Sequence, residues 1–314
     1  MASFKLKKSY LGESSSISSQ NEKINTKFIL DDYFGGENTS EDSEIKMEKT
    51  ILNDLATMRN IDLVIGGDLS NQLGITNETM SSYKYPYLGL YSACSSYVEG
   101  LIISSILLNS SNLKNIVTLV SSHNLDAERT FRYPIEYGSP RKVTQTFTAT
   151  ASIGTFITKE ETRIKLESCT IGKVIDYGIS DANNMGAIMA PSAADTLINH
   201  LKDLKRDVSY YDVILTGDLG KLGSELFKEI LSRNDITLKK HIDAGSILIT
   251  DKSLTDQGAS GPVCLPLILT EKILKDKKYK KILIIGTGAL HNTTMVNQKK
   301  TIPSISHAVS LEVN

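Results

Sequence analysis

"IDLVIGGDL" at residues 61–69 and "YDVILTGDL" at residues 211–219 decide the fold of this 314-residue chain. Each is a nearly continuous apolar run that ends in glycine and aspartate. A run without polar alternation suits a strand covered on both faces, and the glycine marks where it turns. A helical stretch precedes each, and a leucine-glycine pair follows each (Leu73-Gly74, Leu222-Gly223). A second echo lies downstream in the same order: "VSSHN" (120–124) and "GALHN" (288–292) both end strands. Two ordered echoes predict a duplicated α/β unit.

The rest of the chain fits that plan. "NIVTLVSSH" (115–123) and "KILIIGTGAL" (281–290) read as further buried strands. Ile45, Met47, Ile51, Leu52, Leu55 and Met58 have helical spacing, and helices are also expected at 95–108, 191–205, 223–232 and 264–275. Alternating strands and helices argue for a layered α/β fold, with halves at 1–165 and 166–314. The serine- and asparagine-rich first forty residues read as loop with one edge strand. The 150-residue offset maps Cys94 near Ala244, so the cysteine belongs to one half only.

Composition excludes several classes. There are 35 basic and 36 acidic residues, a net charge of −1, and so no basic excess of the kind nucleic acid demands. No apolar run approaches the roughly 18 residues of a membrane span. The N-terminal "MASFKLKKSY" lacks the apolar block of a secretory signal. Cys94, Cys169 and Cys264 are widely spaced, which indicates neither a zinc site nor a disulfide framework and fits a reducing cytoplasm. No phosphate-loop or dinucleotide fingerprint occurs. Neither a cofactor nor a metal is expected.

The motifs "DDYFGG", "GGDLSNQ", "YPYLGLYSACSS", "SSHNLDAERTFRYPIEYG", "TGDLGKLG", "GASGPVC", "GTGAL" and "IPSISHAVSLEV" run from residue 31 to near the C-terminus. A duplicated α/β chain with a single asymmetric cysteine resembles the thiolase-like fold of thiolases and ketoacyl synthases. Within that fold, these motifs resemble the stage V sporulation protein AD family of spore-forming bacteria. The resemblance implies two α/β halves in an αβαβα layering. It implies binding of dipicolinic acid (pyridine-2,6-dicarboxylate), alone or as its calcium chelate, for uptake into the developing spore. It places the protein in the cytoplasm, peripheral to the inner spore membrane, beside integral-membrane partners of the same transport system. Thiolase-like relatives also suggest a homodimer.

Cys94 opens a helix in "GLYSACSSYVEGLIISSILL" (89–108). A thiol at a helix N-terminus has a lowered pKa and can act as a nucleophile. The alternative is an inert buried thiol, which a lone cysteine more often is. Acyl transfer also needs an acid-base partner. The histidine that thiolases carry before a "GASG"-like turn is absent; Thr255 and Asp256 stand there, and "GTGALHN" lacks the second thiolase cysteine. The expectation is therefore non-enzymatic binding. The alternatives are an acyltransferase or condensing enzyme with Cys94 as nucleophile, and a structural scaffold for membrane partners.

The ligand residues expected are Cys94, His123, Arg129, Arg132, His291 and His307. His123 and His291 end equivalent strands, and His307 lies in the strand-like "ISHAVS". Stretch 123–142 sets Arg129, Arg132, Arg141 and Lys142 beside Phe131, Tyr133 and Tyr137. A planar aromatic dicarboxylate wants a guanidinium fork and a stacking face. The alternative is a solvated connection whose arginines pair with Asp126, Glu128 or Glu136. Pro134, Gly138 and Pro140 suggest a rigid loop. His200 and His241 read as surface residues, and Asp68 and Asp218 as turn or helix caps.

Overall fold

The computed structural model describes residues 2–132 and 141–314. Its first half contributes strands β1 (Tyr10–Ser18), β2 (Leu63–Gly67), β3 (Tyr87–Gly89), β4 (Asn115–Ser122) and β5 (Ala151–Thr158). Its second half contributes β6 (Ile164–Ile171), β7 (Val213–Thr216), β8 (His241–Asp243), β9 (Lys281–Ala289) and β10 (Ser304–Val313). The spatial order is β3-β2-β4-β5-β1 followed by β6-β10-β9-β7-β8. Each half repeats the same strand order and the same pattern of parallel and antiparallel pairs. The halves join through Tyr10 with Lys165, through an N-terminal strand (Ala2–Lys5) paired antiparallel with Ser168–Ile171, and through Phe147–Thr148 paired with Ala259–Ser260. Leu63 pairs with Ile116 as Val213 pairs with Ile282, so the two quoted stretches hold equivalent places.

Helices α1 (Ser40–Met58) and α2 (Gly74–Ser81) cover the outside of the first half. Helix α3 (Ser96–Ser110) and the short α7 (Cys264–Ile268) share the middle core with strands of both halves. Helices α5 (Met185–Leu204) and α6 (Gly220–Ser232) cover the outside of the second half. The layering is αβαβα. A middle helix must be apolar around its circumference, and α3 buries Tyr97, Val98, Leu101, Ile102 and Leu108. Helix α1 needs one apolar face only, supplied by Met47, Ile51, Leu52 and Leu55, and Thr39 caps its start by accepting from the Asp42 N–H.

Three expectations change. The first forty residues are loop only in part: 19–27 and 30–39 are irregular, but β1 is no edge strand and lies inside the sheet path, between β5 and β6. Its serines disguise it, and they are buried because partners satisfy them; Ser15 Oγ donates to Asp54 at 2.5 Å and Ser16 Oγ to Glu271 at 3.1 Å. The basic stretch is not loop throughout: Asn124–Arg132 is helix α4, carrying Arg129 and Arg132. Tyr133, Pro134, Glu136, Tyr137, Gly138 and Pro140 lie outside the described residues. Helix α5 starts at Met185 and runs through Pro191, with Asn184 as its cap.

His200 is fully buried on α5, correcting the surface expectation. Its ring nitrogens lie 2.7 Å from Thr170 Oγ1 and 2.7 Å from Tyr211 Oη. His241 is half-buried against the Phe227 ring, with Nε2 2.9 Å from Thr216 Oγ1. No described helix is long and apolar enough to cross a membrane.

The glycines of "GTGAL" have a packing reason. A Cβ on Gly288 would meet Ser92 O at 2.4 Å and Ser95 Cβ at 3.2 Å. Only glycine lets β9 lie directly against the turn that precedes α3. The Gly288→Ala substitution is expected to push that turn away and cost about 1–3 kcal/mol of stability, read from the urea midpoint. An unchanged midpoint would show slack in this contact.

Candidate ligand site at the junction of the two halves

The turn between β3 and α3 carries Cys94. Ala93 is held left-handed (φ 48°), a conformation that costs a residue with a Cβ about 1 kcal/mol or more. Ser96 secures it: its hydroxyl donates to Ala93 O at 2.8 Å and accepts from the Ser92 N–H at 3.0 Å. The chain then runs into α3, leaving Cys94 half-buried in the wall of a cavity.

In the second half, the segment preceding a middle-layer helix is the "GASG" turn before α7. The fold equivalent of Cys94 is therefore near Gly261 rather than Ala244, because a short helix (Ala244–Leu248) and its following loop lengthen the second half here. Gly261 adopts φ +118°, which favours glycine, and its N–H donates to Asp218 Oδ2 at 2.9 Å.

Asp218, just beyond β7, is the residue the sequence reading missed. It does not cap α6; Asp243 does, accepting from the Leu219 N–H at 2.9 Å and the Gly220 N–H at 3.1 Å. Asp218 turns inward, where its Oδ1 accepts from Thr287 Oγ1 at 2.8 Å, and it lines the same cavity as Cys94. Burial pushes its carboxyl up to about 7. Asp68, its sequence echo, does act as a turn cap, accepting from the N–H groups of Ser70 at 2.7 Å and Thr76 at 2.8 Å. The Gly-Asp strand ends were a legible signal for both; which aspartate faced the cavity was not.

The Cys94 thiol is pushed well above its usual range, first by burial and then by the charge of Asp218. A helix start would lower it, but the negative neighbour and the desolvation win. Thr255, at the expected histidine position, is structural: its hydroxyl donates to Gln145 O at 2.9 Å and accepts from the N–H groups of Gln257 and Gly258.

The cavity is narrow, about 40 Å³, and is lined by Leu69, Cys94, Phe131, Arg132, Asp218 and His291 among others. That is room for a few waters. A wider basin of about 440 Å³ adjoins it, sharing Leu69, Phe131 and His291 and adding Gln72, Tyr91 and Thr293. Arg132 reaches the cavity from α4 and is almost buried; it pairs with Glu128, and its Nη atoms lie 3.3–3.4 Å from Thr146 oxygens. Its Nε has no partner among the described residues, and neither ring nitrogen of His291 has one. The His291 ring stands edge-on to Phe131 at 5.0 Å. Burial, then the charge of Arg132, lowers His291 to about 4, so the ring is neutral at pH 7.

The other expected ligand residues lie elsewhere. His123 faces the N-terminal segment: Nδ1 accepts from the Leu125 N–H at 3.3 Å, Nε2 meets Tyr33 O at 3.1 Å, and the ring stacks on Phe34. Arg129 turns out to α1, bonding Ser40 and Glu41. His307 is buried, its Nδ1 accepting from the Gly172 N–H at 3.1 Å, and it is not among the cavity-lining residues. No cluster of three or more His, Cys, Asp or Glu among the described residues is placed to hold a metal ion.

Residues 11–312 match the family model described as Stage V sporulation protein AD (SpoVAD). The chain belongs to the stage V sporulation protein AD family. It is 40% identical over 260 residues to the protein of that name in Bacillus subtilis (strain 168), covering 82% of this chain and 77% of that protein. Among solved structures it is similar to 3-oxoacyl-[acyl-carrier-protein] synthase III from Aquifex aeolicus VF5 (TM-score 0.60, 11% identity, 97% of this chain and 99% of that one). It is also similar to a variant of Xanthomonas campestris OleA (TM-score 0.65, 11% identity, 98% and 99%). A further match is the tetronic acid condensing enzyme AbyA1 (TM-score 0.61, 15% identity, 96% and 99%). The fold of this family member is thus thiolase-like.

The Cys94–Asp218 pair has a direct test. Cys169 and Cys264 are fully buried, so iodoacetamide acting on the folded protein reports Cys94. Labelling at pH 7.5 is expected to be slower than that of a free thiol, and faster in Asp218→Asn, where the charge opposing the thiolate is gone. Rapid labelling of the unaltered protein, unchanged in Asp218→Asn, would contradict this account.

Proposed function

We propose that this member of the family binds dipicolinic acid without chemically altering it, alone or as its calcium chelate, for uptake into the developing spore. The observation that carries the reading is the set of unpartnered buried groups at one cavity: Arg132 Nε and both nitrogens of His291, beside the Phe131 ring. Buried polar atoms left without partners are costly, and a bound carboxylate satisfies them. The narrow cavity is too small for a pyridine dicarboxylate. The ring therefore lies in the adjoining basin against Phe131, with one carboxylate reaching inward to Arg132 and His291. Cys94 forms the inner wall as a neutral thiol. In this reading the protein works at the cytoplasmic face of the inner spore membrane with integral-membrane partners, and as a homodimer.

A condensing enzyme using Cys94 is the second reading, favoured by the left-handed Ala93 beneath the thiol and by the likeness to condensing-enzyme structures. It demands a thiolate, which Asp218 and burial oppose. Intact-mass analysis after incubation with acyl-CoA separates the two: a stable adduct on Cys94 would replace binding by acyl transfer.

Calorimetry with dipicolinate tests the binding directly. His291→Ala removes no side-chain hydrogen bond made to the described residues and is expected to weaken binding about tenfold. Arg132→Gln is expected to weaken it tenfold to a hundredfold, with some loss of stability because Glu128 loses its partner. No heat and no thermal shift at millimolar dipicolinate would instead leave a scaffold for membrane partners.

Binding should also depend on pH. Asp218 is faced by Cys94, Thr287, the Gly261 N–H and, more distantly, Asp243; Arg132 lines the same cavity. A dianion placed near it favours the protonated carboxyl. Its folded value of about 7 means that the charge appears as pH rises through neutrality. Affinity is therefore expected to be higher at pH 6 than at pH 8. At pH 7.5 the binding heat should vary with buffer ionisation enthalpy, showing proton uptake. Equal affinity at both pH values, in Asp218→Asn as in the unaltered protein, would exclude this coupling.

A further inference from the structure

A second concave surface lies at the opposite end of the strands. Asp218 and Ala289 end β7 and β9 at the cavity, whereas Asp212 and Lys281 stand where those strands begin. Strand β9 alone, with nine residues, separates the two ends by about 30 Å. At the beginning of β7 and β8 is an open groove of about 460 Å³, lined by Lys239, Lys240, Lys278, Tyr279, His241 and Asp212 among others.

Asp212 lines this groove with Lys239 and Lys240 and offsets their charge in part. Lys239, Lys240, Lys277 and Lys280 make no ion pair among the described residues. Lys278 pairs with Asp276 at 2.7 Å and lies over the Tyr279 ring at 4.6 Å. Asp212 is occupied by backbone, accepting from the N–H groups of Lys280 at 2.8 Å and Lys281 at 2.9 Å. His241 is neutral, lowered to about 3 by burial and by Lys228. In a chain of net charge −1, such a local excess of cations is a marked asymmetry.

We infer that this lysine-lined groove is a second ligand site, selective for phosphate-bearing anions and independent of the Cys94 cavity. The cations in its lining are all lysines. Ammonium groups act as compact point charges that suit the several oxygens and double charge of a phosphate, whereas a planar carboxylate is best matched by an arginine fork. The phosphate comes either from a free phosphorylated small molecule or from a lipid headgroup. Because the groove and the cavity occupy opposite ends of the strands, occupancy of one leaves the other open.

The test uses the full chain and two probes: calorimetric titration with sodium pyrophosphate, and co-sedimentation with vesicles of phosphatidylcholine and phosphatidylglycerol in equal parts. Saturable binding to either probe supports the inference and identifies the source of the phosphate. Lys239→Gln with Lys240→Gln is expected to weaken that binding about thirtyfold, while the dipicolinate titration and thermal midpoint stay unchanged. A control pair of exposed lysines, Lys7→Gln with Lys8→Gln, should leave binding intact. Absence of binding to both probes, or an equal loss in the control pair, overturns the inference. Tighter binding of a single-stranded oligonucleotide than of either probe also overturns it, in favour of a nucleic-acid surface.

Discussion

The carboxyl of Asp218 holds the centre of this molecule together. It receives the Gly261 N–H and the Thr287 hydroxyl and lines the same cavity as Cys94, and so brings together the end of β7, the "GASG" turn, β9 and the cysteine turn of the other half. Tyr10 pairs with Lys165 along the sheet path, and the strand pairings of Ala2–Lys5 with Ser168–Ile171 and of Phe147–Thr148 with Ala259–Ser260 add to the union of the halves. The middle core and this polar knot complete it. Gly288 serves the same junction by letting β9 lie against the Cys94 turn.

That knot also sets the chemistry. Burial raises both the Asp218 carboxyl and the Cys94 thiol, and the charge of Asp218 raises the thiol further, so each favours its neutral form. Such a pair is poorly suited to nucleophilic attack and well suited to a quiet cavity wall. The positive charge at the cavity lies on α4, where Arg132 Nε, like both ring nitrogens of His291, has no partner among the described residues. A thiolase-like scaffold thus sets Arg132 and His291 beside a thiol that burial and Asp218 keep neutral.

Much of the fold was legible. The strands at 61–69 and 211–219 are long apolar runs, and the helix spacing from Ile45 to Met58 is regular. Strand β1 was not legible, because its serines look like loop and become strand only when Asp54 and Glu271 are brought beside them. His200 failed for the same reason: a polar residue on a helix reads as exposed until Thr170 and Tyr211 pair with it. Of the expected ligand residues, Cys94, Arg132 and His291 meet at one cavity, whereas His123, Arg129 and His307 have other surroundings. Matching positions in a repeat predict matching backbone places. Here the places themselves differ: by strand register His123 matches Ala289, two residues before His291, so the two histidines meet different surroundings.

By itself the sequence determined the duplicated α/β plan, the family and the absence of a histidine where thiolase chemistry would want one, because these follow from periodicity and motif identity. Only the tertiary structure decided that Asp218, from the far half, faces Cys94, and that Arg132 and His291 bring nitrogens without partners among the described residues to the same cavity. Such contacts join residues more than a hundred positions apart. Burial and charge at a site come from what folding brings together, and local sequence holds no record of it.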